Sequence, residues 1–374
     1  MRIKGGWDII GASVDLRFWR CCKMSEMSQF DKNFLLQTKI EREDIQFFSA
    51  NDSCVSLHGL WYENGKYRRM PEDVAKTVSN GIYYGHSLTA GGRLRFVTDS
   101  DYIAISVQYG NVENASSFPI ACSAGFDLYE KKNGKQIHLG TFAPKLNVEE
   151  RFESEKKLSG TGEHELMLVF PLYSEVKQLY IGISDKSSIK PAPEYTHKKP
   201  IIFYGSSITH GACASRSGNT YLCMASRELD FDYVSLGFGG NAKAEQEMAD
   251  YIARLEMKAF VMDYDYNAAS VEYLKDTHER MFAAVRECQP NLPIIIMSRP
   301  KLLTRAEQTR FETVKATYDK AIAAGDQNVY FVPGYELIPE VVMESAKVDC
   351  VHPNDLGFYF MATRVKEELQ KILV

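Results

Sequence analysis

The hydrophobic and polar positions of this chain follow two different patterns, one in each half. In residues 35–190, apolar and polar residues alternate over short segments such as "RLRFVTDSDYIAISVQYG". Alternation with a period of two, in segments rich in β-branched and aromatic residues, is typical of strands that bury one face. Because these segments recur at short intervals without an intervening helical period, the pattern predicts an all-β sandwich.

One segment of this half also predicts a tight β-hairpin. In "AGFDLYEKKNGKQIHLGTF", two strand-like runs flank Asn133 and Gly134. Asn-Gly pairs adopt the left-handed backbone angles that two-residue hairpin turns require. A later segment, "HELMLVFPLYSEVKQLYIGI", contains two more strand-like runs with turn residues between them. Both segments therefore favour antiparallel strands joined by short connections.

From Ile201 onward the pattern changes to apolar runs separated by amphipathic stretches. The apolar runs, which we interpret as strands, are 201–205, 233–237, 259–264, 293–298 and 329–333. The amphipathic stretches, which we interpret as helices, include 242–256, 270–289 and 304–323. Buried strands that alternate with amphipathic helices predict a parallel sheet with helices on both faces.

These patterns divide the chain into four segments. Residues 1–30 lack a continuous apolar run, because Asp8 and Asp15 interrupt it, and we interpret them as a poorly structured extension. A stretch with three prolines and mixed charge precedes Ile201 and is typical of an extended linker. The predicted organisation is an extension at 1–30, a β-sandwich domain at 31–184, a linker at 185–200 and an α/β domain at 201–374.

Composition narrows the class of partner. The 374 residues are 45% hydrophobic and 25% charged, which is typical of a soluble globular protein with more than one domain. A formal net charge of −5 at pH 7 argues against nucleic acid or an anionic membrane as the main partner. No window of about 18 uncharged apolar residues predicts a membrane span. The eight cysteines form no CxxC pair, which favours reduced thiols in a cytoplasmic protein over a disulfide framework or a metal site.

Polar and glycine-rich segments follow the predicted parallel strands. "GSSIT", "GFGGN" and "DYDYN" come directly after the first three, and "VDCVHPNDLGF" comes after the fifth. In folds of this type, ligands bind beyond the carboxyl ends of the strands. We therefore expect these four segments to meet at one edge of the sheet.

The segments contain the parts that serine chemistry needs: a base, a group that orients the base, and donors for an oxyanion. His352 is the best candidate base, because Asp349 can accept from its Nδ1 and leave Nε2 facing a nucleophile. Pro353 is expected at the first position of the helix that follows. Gly240 and Asn267 are candidate oxyanion donors, through a backbone N–H and a side-chain amide. Each of these residues alone is also common in structural turns.

The four segments together resemble the four blocks of the SGNH (GDSL-type) hydrolases, which are named for a serine, a glycine, an asparagine and a histidine. "FYGSSIT" is similar to the first block, and the resemblance makes Ser207, rather than Ser206, the nucleophile. "GFGGN", "DYDYN" and "DCVH" are similar to the other three blocks. "GFDLY" at 125–129 is similar to the signature of a β-sandwich module, called GxDLY, that precedes such hydrolase domains.

The resemblance implies a flavodoxin-like three-layer α/β/α hydrolase domain that needs no metal or cofactor. It implies a triad of Ser207, His352 and Asp349, with an oxyanion hole formed by Ser207, Gly240 and Asn267. The expected reaction is hydrolysis of short-acyl esters on carbohydrate or other small soluble alcohols, through an acyl-enzyme. A catalytically inactive carbohydrate-binding protein and an acyltransferase on the same fold remain alternatives.

Four further residues bear on the substrate pocket and on hydrogen bonding at the edge of the sheet where the four segments meet, which we call the rim. Ser206 stands where the family usually has aspartate, and Ala268 follows Asn267 where many members have another. Both changes remove a carboxylate from the rim. His210 and Arg216 follow the nucleophile and are possible substrate-pocket residues, although Arg216 also fits an ordinary surface salt bridge.

Overall fold

A computed structural model describes residues 38–300 and 304–373 of the protein. The predicted extension at 1–30 lies outside the described residues. The strands of the first half are β1 (Ile45–Ser49), β2 (Ser56–His58), β3 (Trp61–Glu63), β4 (Lys66–Arg68), β5 (Arg93–Thr98), β6 (Tyr102–Val112), β7 (Phe126–Lys132), β8 (Lys135–Phe142), β9 (Arg151–Lys157), β10 (His164–Val169), β11 (Ser174–Ser184) and β12 (Ile189–Pro191). Its helices are α1 (Glu72–Val78), α2 (Asn80–Gly85) and α3 (Ile120–Ser123).

Ten of these strands form two antiparallel sheets around a shared core, as the alternating pattern predicted, and β3 and β4 pair with each other as a separate two-stranded sheet. One sheet has the order β1-β11-β6-β9, and the other has the order β12-β5-β10-β7-β8 with β2 also paired to β5. Inward-facing side chains such as Leu94 and Phe96 of β5 and Ile103 and Ile105 of β6 form one buried cluster. The predicted hairpin is confirmed, because β7 and β8 are joined by Asn133 and Gly134, both with positive φ.

Two features of this half differ from the sequence analysis. Residues 185–200 are not a free linker, because Ile189–Pro191 form the edge strand β12 on β5, where the missing N–H of proline is tolerated. The helices α1 and α2 were not predicted. Their buried residues Ala75 and Ile82 pack into the core of the second domain, so the contacts that stabilise them come from distant sequence.

The second half contains strands that alternate with helices, as predicted. Its strands are β13 (His197–Gly205), β14 (Phe231–Gly237), β15 (Ala259–Asp263), β16 (Ile294–Met297) and β17 (Val329–Val332). Its helices are α4 (Ser207–His210), α5 (Tyr221–Leu229), α6 (Gln246–Ala253), α7 (Val271–Cys288), α8 (Arg305–Ala323) and α9 (Asp355–Ile372). Helix α5 was not predicted. Helix α9 is capped by Asn354, so Pro353 precedes the cap instead of opening the helix.

The five strands form one parallel sheet of order β14-β13-β15-β16-β17, which confirms the predicted α/β architecture. Alternate residues of β13 pack on opposite faces: Ile201 and Phe203 belong to one buried cluster, and Ile202 and Tyr204 belong to the other. This is the three-layer arrangement expected when both faces of a sheet are covered. Within the described part of the chain, no helix is both long and apolar enough to cross a bilayer.

Candidate active site

The two adjacent serines at the end of β13 have different surroundings. Ser206 has extended backbone angles, and its side chain accepts a hydrogen bond from the N–H of Ile208, so it caps helix α4. Ser207 is the first residue of α4, and its Oγ lies 2.9 Å from Nε2 of His352. The structure therefore gives Ser206 a capping role and brings only Ser207 to the imidazole.

Two glycines allow α4 to pack directly on the ends of the strands. A Cβ placed on Gly205 would lie 2.0 Å from Oγ1 of Thr209, and one placed on Gly237 would lie 2.2 Å from the backbone nitrogen of His210. Neither distance is sterically possible. The short nucleophile helix can therefore sit at this point of the rim only where β13 and β14 end in glycine.

A tight loop before α9 holds the imidazole in place. Nδ1 of His352 lies 2.8 Å from Oδ2 of Asp349, and Oδ1 of the same carboxylate accepts the N–H groups of Val351 and His352, each at 2.7 Å. Although partial burial would raise its pKa, these hydrogen bonds from His352 and from the two amides lower the pKa of Asp349 to about 2. The ionised carboxylate accepts from Nδ1–H, which leaves Nε2 as an acceptor for the hydroxyl of Ser207.

The proposed oxyanion donors are available. The N–H groups of Ser207 and Gly240 donate to no residue that the structure describes, and Gly240 has a positive φ of 69°. Nδ2 of Asn267 donates to the carbonyl of Phe238 at 2.9 Å, and the amide keeps a second N–H for substrate. A Cβ placed on Gly239 would lie 3.5 Å from Cβ of Ser207. The "GFGGN" loop thus lies against the nucleophile through Gly239, which the sequence analysis did not single out.

Two aspartates at the end of β15 supply carboxylates to this rim, where Ser206 and Ala268 have none. Oδ2 of Asp263 accepts from Oγ1 of Thr209 at 2.9 Å and from the hydroxyl of Tyr221 at 3.1 Å. Asp265 is paired with Nε of Arg299 at 3.2 Å. Because Asp263 is fully buried and close to Asp265, its pKa is raised to about 7.

This raised pKa predicts how stability depends on pH. A carboxyl whose pKa is higher in the folded state stabilises the fold below its ordinary pKa of 3.8, and this contribution is lost as the pH rises through about 7. Asn at position 263 is neutral at every pH. The free energy of unfolding of Asp263→Asn, relative to wild type, should therefore rise by roughly 3 kcal/mol between pH 4 and pH 8. Thermal unfolding at several pH values measures this change in stability. Asp276→Asn is the control, because Asp276 is exposed. Parallel profiles for wild type and Asp263→Asn would contradict the prediction.

Arg216 is paired with the β-sandwich domain, in agreement with the salt bridge that was the alternative to a place in the substrate pocket. Its Nη1 donates to Oδ2 of Asp127 at 2.8 Å, and the N–H of Gly218 donates to the same oxygen at 2.7 Å. Asp127 is the central residue of the "GFDLY" signature and is fully buried. It also accepts from Oγ1 of Thr141 at 2.5 Å. The signature therefore anchors the loop after the nucleophile helix to the sandwich domain.

His210 is buried, and its side chain contacts residues of the sandwich half. Its Nε2 lies 2.7 Å from the carbonyl of Leu172, and its ring stacks on Tyr173 with 4.1 Å between centroids. It lines a cavity of about 120 Å³ between the two domains. Two larger cavities, of about 660 and 410 Å³, contain none of the rim residues.

The residues that the first domain contributes to this cavity were not predicted from the sequence. The polar ones among them are Arg69, Tyr84, Glu113 and Tyr173, and the others are Gly81, Gly85 and Leu88. No motif marks them, because they belong to helix α2, to loops and to strand ends of the sandwich half, and only the packing of the domains brings them to the rim. Within residues 38–300 and 304–373, no group of three or more His, Cys, Asp or Glu side chains is placed to hold a metal ion.

Comparison with protein families agrees with this geometry. Residues 198–370 match the GDSL-like lipase/acylhydrolase family, and residues 45–189 match the N-terminal GxDLY module of SGNH-hydrolase-type esterases. The chain therefore belongs to the SGNH (GDSL-type) hydrolases and is an ester-hydrolysing enzyme. Among curated proteins, none matches the sequence significantly.

Solved structures share the two-domain architecture over nearly the whole chain. A protein described as a GDSL-like lipase from Bacteroides ovatus is 27% identical with a TM-score of 0.79, covering 88% of this chain and 98% of that one. Salicylyl-acyltransferase SsfX3 from a tetracycline biosynthetic pathway is 20% identical with a TM-score of 0.73, covering 89% and 99%. A family two carbohydrate esterase from Clostridium thermocellum, in complex with cellohexaose, is 14% identical with a TM-score of 0.61, covering 85% and 98%.

Proposed function

We propose that the protein is a serine esterase that removes short acyl groups, such as acetyl, from carbohydrates or other small soluble alcohols. The observation that carries this proposal is the unbroken chain of hydrogen bonds from Asp349 through His352 to Ser207. Likeness in fold to a carbohydrate esterase crystallised with an oligosaccharide supports an acylated sugar as the substrate class.

In the proposed mechanism, Oγ of Ser207 attacks the ester carbonyl while Nε2 of His352 takes its proton. Asp349 holds the imidazole in the required tautomer and stabilises the imidazolium that forms. The same imidazolium then protonates the departing alcohol oxygen. Water, deprotonated by His352, attacks the acyl-enzyme and releases the carboxylic acid and the free serine. Backbone N–H groups and the amide of Asn267 stabilise the oxyanion in both steps.

Solvent access to the site favours hydrolysis over acyl transfer. The side chains of His352 and Asp349 are 25% and 48% exposed, so water can reach the imidazole. Exclusion of water protects an acyl-enzyme from hydrolysis, and these side chains are open to water. The fold of salicylyl-acyltransferase SsfX3 nevertheless makes transfer worth measuring, through the products formed when a sugar acceptor is present.

The direct test is acetate release from a panel of acetylated sugars and from p-nitrophenyl esters of increasing acyl length. We expect hydrolysis that is fastest for acetyl and falls with chain length, together with covalent labelling by a fluorophosphonate. Absence of both hydrolysis and labelling would favour the inactive carbohydrate-binding alternative.

Asn267→Ala should lower kcat about 10²- to 10³-fold, because it removes one preorganised donor to the oxyanion. The side chain of Asn267 also donates to the carbonyl of Phe238, so thermal unfolding should accompany the kinetics to verify that the variant is folded. Asn328→Ala, at a position away from the rim, is the matched control. A change of less than twofold in kcat for Asn267→Ala would remove this residue from the mechanism.

A further inference from the structure

The loop that carries His352 is joined to the nucleophile and the segment after it by the first residue of α9. Within the described part of the chain, residues 349–355 make hydrogen bonds to residues 207–219 at two places. One is the bond between Ser207 and His352 itself. The other is the carboxylate of Asp355, three positions after the imidazole. Asp355 thus makes the hydrogen-bonded connection that takes no part in the reaction.

Both oxygens of the Asp355 carboxylate accept from this segment. Oδ1 accepts from the N–H of Ser215 at 2.8 Å. Oδ2 accepts from Nδ2 of Asn219 at 2.7 Å and from the hydroxyl of Ser215. Hydrogen bonds to a carboxylate are stronger than those between neutral groups. One side chain at the start of α9 therefore holds two residues of the segment that follows the nucleophile helix.

The segment is also fixed directly to the nucleophile. The N–H of Ala212 donates to the carbonyl of Ser207 at 2.8 Å. Ala212 and Ala214 are fully buried, and Cys213 between them has a positive φ of 69°. A residue other than glycine keeps such a conformation only where the surrounding structure holds it. The backbone from Ser207 to Ser215 therefore has little freedom, and Asp355 grips it at its end.

The sandwich domain binds the same segment at the positions in between. Asp127 accepts from Nη1 of Arg216 at 2.8 Å and from the N–H of Gly218 at 2.7 Å. The residues that immediately flank this pair are the donors to Asp355. Residues 215–219 therefore lie between two carboxylates, one from the sandwich domain and one from the start of α9.

The distance between Oγ of Ser207 and Nε2 of His352 determines how well the proton is transferred. At 2.9 Å it lies within the range that general-base catalysis requires. A misplacement of about 1 Å can lower the rate about 10²-fold. The side chains of His352 and Asp349 are 25% and 48% exposed, so burial alone does not hold this loop. Its hydrogen bonds to the rest of the rim therefore matter for the rate.

We propose that Asp355 is a positioning residue, which keeps the loop of His352 at the distance from Ser207 that proton transfer needs. It does so by tying this loop to the segment that the sandwich domain anchors through Asp127. The inference rests on the proposed function, because it takes Ser207 and His352 as the reacting pair. It gives the N-terminal module a part in catalysis that requires no contact with substrate.

Asp355→Ala tests the proposal. We expect kcat for p-nitrophenyl acetate to fall about 10- to 100-fold with KM within about twofold of wild type, because the variant disturbs the reacting geometry and leaves substrate binding intact. Reaction with a fluorophosphonate should slow by a similar factor, since it also needs His352 to take the proton of the serine. Asp355→Asn keeps an oxygen for the N–H of Ser215 and should lose less.

A double-mutant cycle separates this role from a general loss of stability. Asn219→Ala removes one donor to the carboxylate and should lower kcat less than Asp355→Ala does. The double variant should be no slower than Asp355→Ala alone, because both substitutions break the same link. If Asp355→Ala does not fold, Asp355→Asn replaces it in the cycle. Effects that multiply in the double variant, or a raised KM with unchanged kcat, would contradict the proposal.

Glu228→Ala is the matched control. Glu228 on α5 pairs with Lys366, which lies on α9 about three turns beyond Asp355. This variant also removes a carboxylate that joins α9 to the rest of the domain, yet it should keep kcat within about twofold of wild type. Melting temperatures verify that the variants are folded.

Two further results would overturn the inference. They are a kcat for Asp355→Ala that equals that of wild type, and equal losses of kcat in Asp355→Ala and Glu228→Ala. Hydrolysis that persists in Ser207→Ala would instead contradict the proposed function itself.

Discussion

Ser207→Ala is expected to lower kcat for ester hydrolysis roughly 10⁴- to 10⁶-fold, the loss typical of removing the nucleophile from a serine triad. The reason is the geometry at the start of α4, where Oγ of Ser207 is 2.9 Å from Nε2 of His352. Steady-state kinetics with p-nitrophenyl acetate measures the loss. Fluorophosphonate labelling, followed by mass spectrometry, should modify the wild type at this serine and leave the variant unmodified.

The adjacent serine is the control for this experiment. Ser206→Ala removes the cap of α4, which should lower the free energy of unfolding by about 1 kcal/mol. It should still hydrolyse ester and still react with the fluorophosphonate, because Ser206 does not contact the imidazole. If Ser206→Ala lost activity and labelling while Ser207→Ala kept both, the assignment of the nucleophile would be reversed.

Asp127→Ala should lower the free energy of unfolding by about 3–5 kcal/mol, the cost of breaking a buried, hydrogen-bonded ion pair. Asp127 is fully buried at the contact between the domains, where it accepts from Arg216, Thr141 and the N–H of Gly218. Its removal leaves the guanidinium of Arg216 without a carboxylate partner. Urea unfolding monitored by fluorescence measures the change.

Glu163→Ala is the matched control, since it removes the acidic partner of an exposed ion pair with Lys190. Exposed pairs of this kind contribute about 0–1 kcal/mol, so the control should be close to wild type in stability. Asp127→Ala should also lower kcat, because the loop it anchors follows the nucleophile helix directly. Equal, small losses in both variants would show that the signature does not join the domains.

The two departures from the usual first and third blocks have a structural counterpart. Ser206 replaces a carboxylate at the start of α4 and acts as its cap. Asp263, which is fully buried at the end of β15, accepts a hydrogen bond from Thr209 of α4. The rim thus keeps a carboxyl beside the nucleophile helix, although it comes from a different strand.

Much of the fold was predictable because its signals are local. Alternation along β5 and β6, the Asn133-Gly134 turn and the five apolar runs of the second half depend on residues close in sequence. The same is true of Asp349 and His352, whose three-residue spacing suits one tight loop. Helices α1, α2 and α5 and the edge strand β12 were missed, because distant packing partners stabilise them.

The sequence by itself determined the two-domain order, the parallel sheet and the residues that meet at its rim, since strand periods and block motifs are properties of short segments. Only the tertiary structure decided that Arg216 pairs with Asp127 of the sandwich domain. It alone placed Arg69 and Tyr173 of the sandwich domain beside His210. Such contacts join residues far apart in the chain, and their geometry depends on how two folded domains pack, which no local pattern encodes.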